Sequence, residues 1–290
     1  MDKIKLIVDS ACDLPDDIIE KYNIEVVGLN VSFGEESYIS GKEIDNETFY
    51  RKMSESKVLP KTSCPSPDKF LEAYHCQEES VLVINISSGL SGTYNSALLA
   101  KDMFEKEGNN KKVEVIDSLS GSIGIGQLVL KAAILIKEGK EIEEIVSIIN
   151  KYKDNPPFFG TLETLENAIK GGRINPIAGK IINTLNFKAI IQVADGVVTP
   201  IDKARGEGNS LKKLITLVES KIKDKEEKVL FIGHANCPEK AQKVREVMEK
   251  DVKYKDVVIC EIGSVMGTYT SKGAILITAY KYCNINNGLK

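Results

Sequence analysis

Short polar loops recur along this 290-residue chain where apolar runs end, and they carry hydroxyls and carboxylates. The most pointed is Ser87-Ser88-Gly89-Leu90-Ser91-Gly92-Thr93. It follows a β-branched run at residues 81–86 and precedes a helical pattern that opens at about Tyr94 and includes Leu98, Leu99 and Met103. Strand, Ser/Gly turn and helix together direct free backbone N–H groups and hydroxyls at a small anion. The loop holds no Lys or Arg, and the chain has no GxxxxGKS/T loop of the kind a triphosphate site carries. An uncharged cradle of this sort suits one negative charge, such as a carboxylate. The same residues also describe a tight turn followed by a capped helix.

Three further loops share this character: Asp9-Ser10, Thr62-Ser63-Cys64-Pro65-Ser66 and Asp117-Ser118. In a doubly wound sheet the carboxyl ends of the strands face a common crevice, where ligands bind. Asp9 and Asp117 equally fit the role of helix caps. Thr62 and Ser91 stand in the middle of turns rich in backbone donors. Neither His75 nor His234 lies beside a GxSxG elbow, so an activated serine is not indicated. In the second half, Arg173 in Gly171-Gly172-Arg173-Ile174 and Arg205 in Lys203-Ala204-Arg205 offer planar forks for a carboxylate or phosphate. Each also reads as a solvated surface charge. His234-Ala235 reads as a core imidazole after a strand.

Bulk properties exclude several classes. The net charge of -3 and an aromatic content of 6% without Trp give no basic surface and few stacking platforms for nucleic acid. The six cysteines form no CxxC pair, and with two distant histidines they give no metal-site spacing. The opening residues run straight into a strand without a signal-peptide pattern, and the apolar run at 128–136 is broken by Lys131. A cytoplasmic monomer without an integral membrane segment, metal or cofactor is expected.

The elements that must position these residues alternate. Strands are expected at 5–8, 25–31, 81–86 and 113–116, with helices opening near Asp13, Asn46, Asp68, Tyr94 and Ile123. Residues 59–67 read as a loop with three prolines. This pattern predicts an α/β fold: a Rossmann-like parallel sheet with helices on both faces in residues 1–155. The charged stretch at 151–157 marks the boundary. Residues 156–290 then read as a mixed-sheet α+β domain. A helix is expected at 162–172, strands at 187–193, 197–201, 229–233 and 257–262, and helices near 209–222 and 238–250. Asp195-Gly196 is a hairpin signal. The last eight residues read as a frayed end.

Taken in order, the Asp9-Ser10, TSCPS, ISSGLSGTYNSA, Asp117-Ser118, LETL, GGRI, KAR and His234-Ala235 segments resemble the DegV family of bacterial fatty-acid-binding proteins. The resemblance covers nearly the whole chain. It implies a two-domain α/β protein that holds one long-chain fatty acid, its tail in an apolar tunnel of the first domain and its carboxylate near the domain junction. It implies that Thr62 and Ser91 hydrogen-bond the carboxylate, with Ser63, Gly92, Thr93, Arg173, Arg205 and Tyr269 supporting or facing a partner. In one branch of the family that partner is a kinase that makes an acyl phosphate, while the binding protein has no catalysis of its own. The family's late GTHTGPG-like motif reads Gly267-Thr268-Tyr269-Thr270-Ser271-Lys272-Gly273 here, and a KPI-like segment reads Lys188-Ala189-Ile190. Tyr269 thus stands where the family usually has a histidine, and it carries no positive charge near neutral pH.

A saturated chain of about 16 carbons gains roughly 0.8 kcal/mol per buried methylene, on the order of 10 kcal/mol in all. The head group then needs only to be satisfied, because an unpaired buried carboxylate costs several kcal/mol. Tunnel walls are expected from the Leu29 strand, Phe33, Phe49, Met53 and the Leu128 helix. Two other readings use the same loops. One is an enzyme acting on a small phosphorylated substrate held by Arg173 and Arg205. The other is a regulatory module that senses lipid.

Overall fold

The computed structural model describes residues 3–153, 156–176 and 187–281. Its first sheet is parallel, in the order β2 (Glu25–Val27), β1 (Ile4–Asp9), β6 (Ser80–Asn85), β7 (Lys112–Asp117). Alternate residues of these strands serve two cores. Ile7, Val81 and Val83 face α3 (Pro67–Tyr74) and α4 (Thr93–Lys106). Leu6, Val8, Leu82 and Ile84 face the interior of the molecule. This is the alternating two-sided burial of a covered parallel sheet.

The second sheet is mixed. Its order is β10 (Val197–Arg205), β9 (Phe187–Ala194), β8 (Phe158–Leu162), β13 (Ile275–Lys281), β11 (Lys228–His234), β12 (Asp256–Glu261). Neighbours are antiparallel except for β11 and β12. Phe159, Ile190, Leu230 and Ile277 face the helices Glu207–Lys221 (α8) and Pro238–Met248 (α9). Their sequence neighbours Phe158, Ile191, Phe231 and Leu276 face the first sheet. The expected hairpin joins β9 to β10, with φ of 51° at Asp195 and 78° at Gly196, as a primed turn requires.

Between the sheets runs α5 (Ile123–Lys137), in which every residue from Ile123 to Leu135 is buried. It touches β1 and β6 on one side and β11 and β13 on the other. A helix apolar all round is a buried helix, which accounts for the run at 128–136. No helix among the described residues is long and apolar enough to cross a membrane.

Some elements differ from expectation. The strand expected over 25–31 divides, β2 ending at Val27 and β3 (Asn30–Phe33) joining a small antiparallel sheet with β4 (Glu36–Ile39) and β5 (Lys61–Ser63). The intervening Leu29 N–H donates to Ser10 Oγ at 2.9 Å and its carbonyl accepts from Ser40 N–H, so both leave the ladder. Thr62 therefore lies on a strand paired with Val31, not in a loop. The helix expected over 162–172 is only α7 (Glu166–Lys170), because Leu162 ends β8 in the middle of the sheet. Strands β8 and β13 and the helices α6 (Ile142–Tyr152) and α10 (Ser264–Thr270) were not anticipated. Helix α2 (Asn46–Glu55) matches expectation, with Asp45 capping it through Thr48 N–H, whereas α1 (Asp16–Lys21) opens three residues later than expected, after Pro15 and without a side-chain cap, because Asp13 turns to Ser122 and Gly263 instead. The boundary expected after residue 155 and the frayed final residues fall on positions outside the described residues.

Candidate functional site

Two carboxylates shape the loop that carries Ser91. Asp9, fully buried at the end of β1, accepts from Ile86 N–H at 2.7 Å, Ala11 N–H at 3.0 Å and Asn85 Nδ2 at 3.1 Å. Burial raises its pKa to about 6, and these donors hold it from going higher. Asp117, at the end of β7, accepts from Ser88 N–H and Oγ and from Leu119 N–H. Ser87 Oγ donates to Gly196 O at 2.7 Å, which ties the loop to the hairpin of the second sheet. Asp9, Asp117 and Ser87 thus position the turn from beneath. They act as anchors of the loops and not as helix caps, since the helices α1, α4 and α5 that follow these loops have no side-chain cap.

On this support Ser91 N–H donates to Ser87 O, while its hydroxyl lies 2.9 Å from Thr93 Oγ1 and accepts from Thr93 N–H at 3.3 Å. Across from it, Thr62 Oγ1 lies 2.6 Å from Tyr269 Oη. Tyr269 belongs to α10, so this bond joins the small antiparallel sheet to the second half of the chain. Arg173 closes the group. Its Nε donates to Leu90 O at 3.0 Å and its Nη1 to Gly171 O at 2.7 Å, and its guanidinium sits 4.8 Å from the Tyr269 ring centroid. Stacking on an aromatic face and a planar fork are both arginine properties that lysine lacks.

Thr62, Ser91, Arg173 and Tyr269 line one rim of a cavity with about 710 Å³ of empty space, its opening to solvent included. Behind the rim the walls are apolar: Leu29, Ile86, Leu162, Ile191, Val265 and Leu276 are among them. Both sheets contribute. The expected tunnel walls are therefore corrected. Leu29 lines the cavity, but Phe33, Phe49 and Met53 pack into the core instead, with Phe33 and Phe49 in ring contact at 5.9 Å. Leu128 borders a smaller neighbouring cavity. The cavity lies between the two sheets and not inside the first, because the period-two faces of β8, β9 and β13 supply one wall. That alternation was readable in 187–193 but not assignable to a cavity.

The remaining candidates are not drawn to the rim. Ser63 points to the other side of β5 from Thr62, is exposed, and accepts from Asn30 Nδ2 at 3.4 Å. Gly92 is exposed and Thr93 is buried, and neither lines the cavity. Arg205 is exposed at the end of β10, away from the cavity. His234 is buried, accepts from Cys237 N–H, and is pushed to a lower pKa by burial. Among the described residues, no group of three His, Cys, Asp or Glu side chains is arranged to hold a metal ion.

What the rim can do follows from its atoms. Three hydroxyls and one guanidinium meet apolar walls in one cavity, where they can satisfy an anionic head group and leave a hydrocarbon to the walls. Among the described lining residues, Arg173 is the permanent charge.

Comparison with known proteins agrees with this geometry. A DegV family model matches residues 3–281. A DegV domain-containing protein of Clostridium acetobutylicum is 36% identical over 277 residues, covering 94% of this chain and 97% of that protein. The crystal structure of a DegV family protein from Ruminococcus gnavus with vaccenic acid superposes with a TM-score of 0.89 at 30% identity, over 97% of this chain and 100% of that one. The Streptococcus pneumoniae Fatty Acid Kinase (Fak) B3 protein loaded with linoleic acid gives a TM-score of 0.85 at 26% identity, over 96% and 98%. With a family model over residues 3–281 and a relative 36% identical across 94% of its length, the chain belongs to the DegV family.

Proposed function

We propose that this protein binds one long-chain fatty acid, with the acyl tail in the cavity between the sheets and the carboxylate at Thr62, Ser91 and Tyr269. The observation that carries the reading is the union of hydroxyl donors and apolar walls in a single cavity. Hydroxyls remove the penalty of an unpaired carboxylate without requiring a full ion pair. The protein itself is a carrier without catalysis that presents its lipid to a fatty acid kinase, in line with the B3 protein among its structural relatives. It acts as a monomer in the cytoplasm, a compartment that keeps thiols such as buried Cys12 and Cys260 reduced. Its halves, residues 1–155 and 156–290, meet at the rim.

The reading of a small phosphorylated substrate is less well supported, because Arg205 lies away from the rim and the walls beyond it are apolar. Purified protein denatured in organic solvent and examined by mass spectrometry distinguishes the two. One fatty acid per chain is expected. A stoichiometric phosphorylated metabolite, or a delipidated protein that takes up no palmitate or oleate, overturns the proposal.

A further inference from the structure

Asp13 holds the first residues of two helices at once. Its Oδ2 accepts from Ser122 Oγ at 2.5 Å, and its Oδ1 accepts from Gly263 N–H at 2.8 Å. Ser122 is the N-cap residue of α5, and Gly263 is that of α10. A Cβ on Gly263 would crowd Asp13 Oδ1 at 3.0 Å, so glycine permits the approach. Asp13 is buried and has a φ of 50°, a conformation that Asp and Asn reach more readily than other residues with a Cβ.

Both helix starts lead to the main cavity. Gly121, just before Ser122, lines it, as do Val265, Met266, Tyr269 and Thr270 of α10. The two segments touch there, since a Cβ on Gly121 would lie 3.0 Å from Met266 Cε. Asp13 itself is not among the lining residues. Helix α10 has seven residues, too few to hold a helical position unaided, so its ties to the rest of the molecule place it. Asn167 Nδ2 donates to Thr268 O at 3.0 Å from the same half of the chain. From the first half, Tyr50 Oη donates to Ile262 O at 2.8 Å, Ser40 Oγ accepts from Ser264 Oγ at 2.8 Å, and Asp13 accepts from Gly263. Asp13 also joins α10 to the turn before α5.

We propose that Asp13 is a positioning residue for the head-group site: by holding the N-cap residues of α10 and α5 together, it places Tyr269 Oη beside Thr62. This rests on the fatty-acid reading of the main cavity. Asp13 acts through Tyr269 and touches no part of the lipid.

The test is a double-mutant cycle. Palmitate affinity is measured by calorimetry on delipidated wild type, Asp13→Gly, Asp13→Asn, Tyr269→Phe and Asp13→Gly/Tyr269→Phe. Glycine takes positive φ without strain, so Asp13→Gly removes the carboxylate alone. Asparagine keeps an oxygen for Gly263 N–H and an amide for Ser122. Asp13→Gly should lower affinity about fivefold, as Tyr269→Phe does, and Asp13→Asn should stay within about twofold of wild type. In the Tyr269→Phe background, Asp13→Gly should cost less than about twofold more, because both changes remove one interaction. Asp13→Glu, which shifts the carboxylate by one methylene, replaces Asp13→Gly if that variant does not fold, with the same expected loss. Equal losses in the two backgrounds, or a folded Asp13→Gly with wild-type affinity, overturn the positioning role. A crystal structure of the Asp13→Gly or Asp13→Glu variant should show the Thr62–Tyr269 bond broken, and an unmoved Tyr269 overturns the role whether or not lipid binds. Wild type that takes up no fatty acid of any length overturns the underlying reading instead.

Discussion

Thr62 and Tyr269 are 207 residues apart in sequence, and their hydroxyls lie 2.6 Å from each other at the rim of the cavity. One rides on β5 and the other on α10, so the pair exists only when both halves of the chain are folded together. Each hydroxyl keeps one further hydrogen-bonding direction available to a ligand. An incoming carboxylate would meet a pair already oriented, together with Ser91 and Arg173.

Removing those hydroxyls should weaken fatty-acid binding. Thr62→Val and Ser91→Ala are each expected to cost about 1 to 3 kcal/mol, the usual effect of leaving a charged acceptor short of one donor. Calorimetry on delipidated protein with palmitate measures it. Wild-type affinity in the double variant would discredit both assignments.

Under the proposed function, Tyr269 is the position where binding and service to a kinase can be told apart. Tyr269→Phe keeps the ring under Arg173 but removes the bond to Thr62, and should weaken binding by about 1 kcal/mol. Tyr269→His introduces a group that can carry positive charge near neutral pH beside the head group. That charge would favour a developing phosphoryl negative charge. Acyl-phosphate formation by a purified fatty acid kinase with ATP should accelerate about tenfold with Tyr269→His. An equal or slower rate would show that Tyr269 does not limit the transfer.

Gly171 is small for a reason that can be measured. A Cβ there would come within 2.5 Å of Tyr269 Cε1. Gly171→Ala should displace the Tyr269 ring, stretch its bond to Thr62 and disturb the Arg173 stacking. Binding should fall about tenfold or more, with stability lowered by about 1 to 3 kcal/mol from overpacking. A crystal structure of the variant with the ring unmoved would refute this account.

Buried carboxyls predict a pH dependence of stability. Asp13 accepts from Ser122 Oγ at 2.5 Å and from Gly263 N–H at 2.8 Å, joining the two halves of the chain. Burial raises its pKa to about 7, and that of Asp9 to about 6. Because both folded values lie above the unfolded ones, their contribution is complete below about pH 4 and is lost as pH rises through 6 and 7. His234, lowered by burial, opposes this only on the acid side, where the unfolded imidazole takes a proton first. Urea midpoints should therefore fall between pH 6 and 8, by on the order of 1 kcal/mol for Asp13. Asp13→Asn should flatten that slope whatever its stability at pH 6. An unchanged slope would show that Asp13 does not titrate in this window.

Much of the site was legible because it is written locally. The strand, Ser/Gly turn and helix around Ser91 follow from a β-branched run, turn residues and a helical period, and the structure has them as β6, the loop and α4. Asp195-Gly196 specified its hairpin through residues that accept positive φ. Thr62 was legible as a candidate, though not as part of a strand, because β5 is three residues long and an edge strand takes its identity from its neighbour. Arg173 and Arg205 looked alike in sequence, each a basic residue after a small one. One stacks on Tyr269, and the other ends a strand in solvent.

The chain's own order of residues determined its α/β class, the turn that carries Ser91 and the hydroxyl character of the site, because period, turn chemistry and side-chain type act over a few neighbours. Tertiary structure decided where the cavity runs, that Tyr269 meets Thr62 and that α5 is shared by two sheets. Those facts depend on which buried faces close against each other, and a face is assembled from strands hundreds of residues apart. Periodicity marks a side chain as inward-facing without saying what lies opposite it.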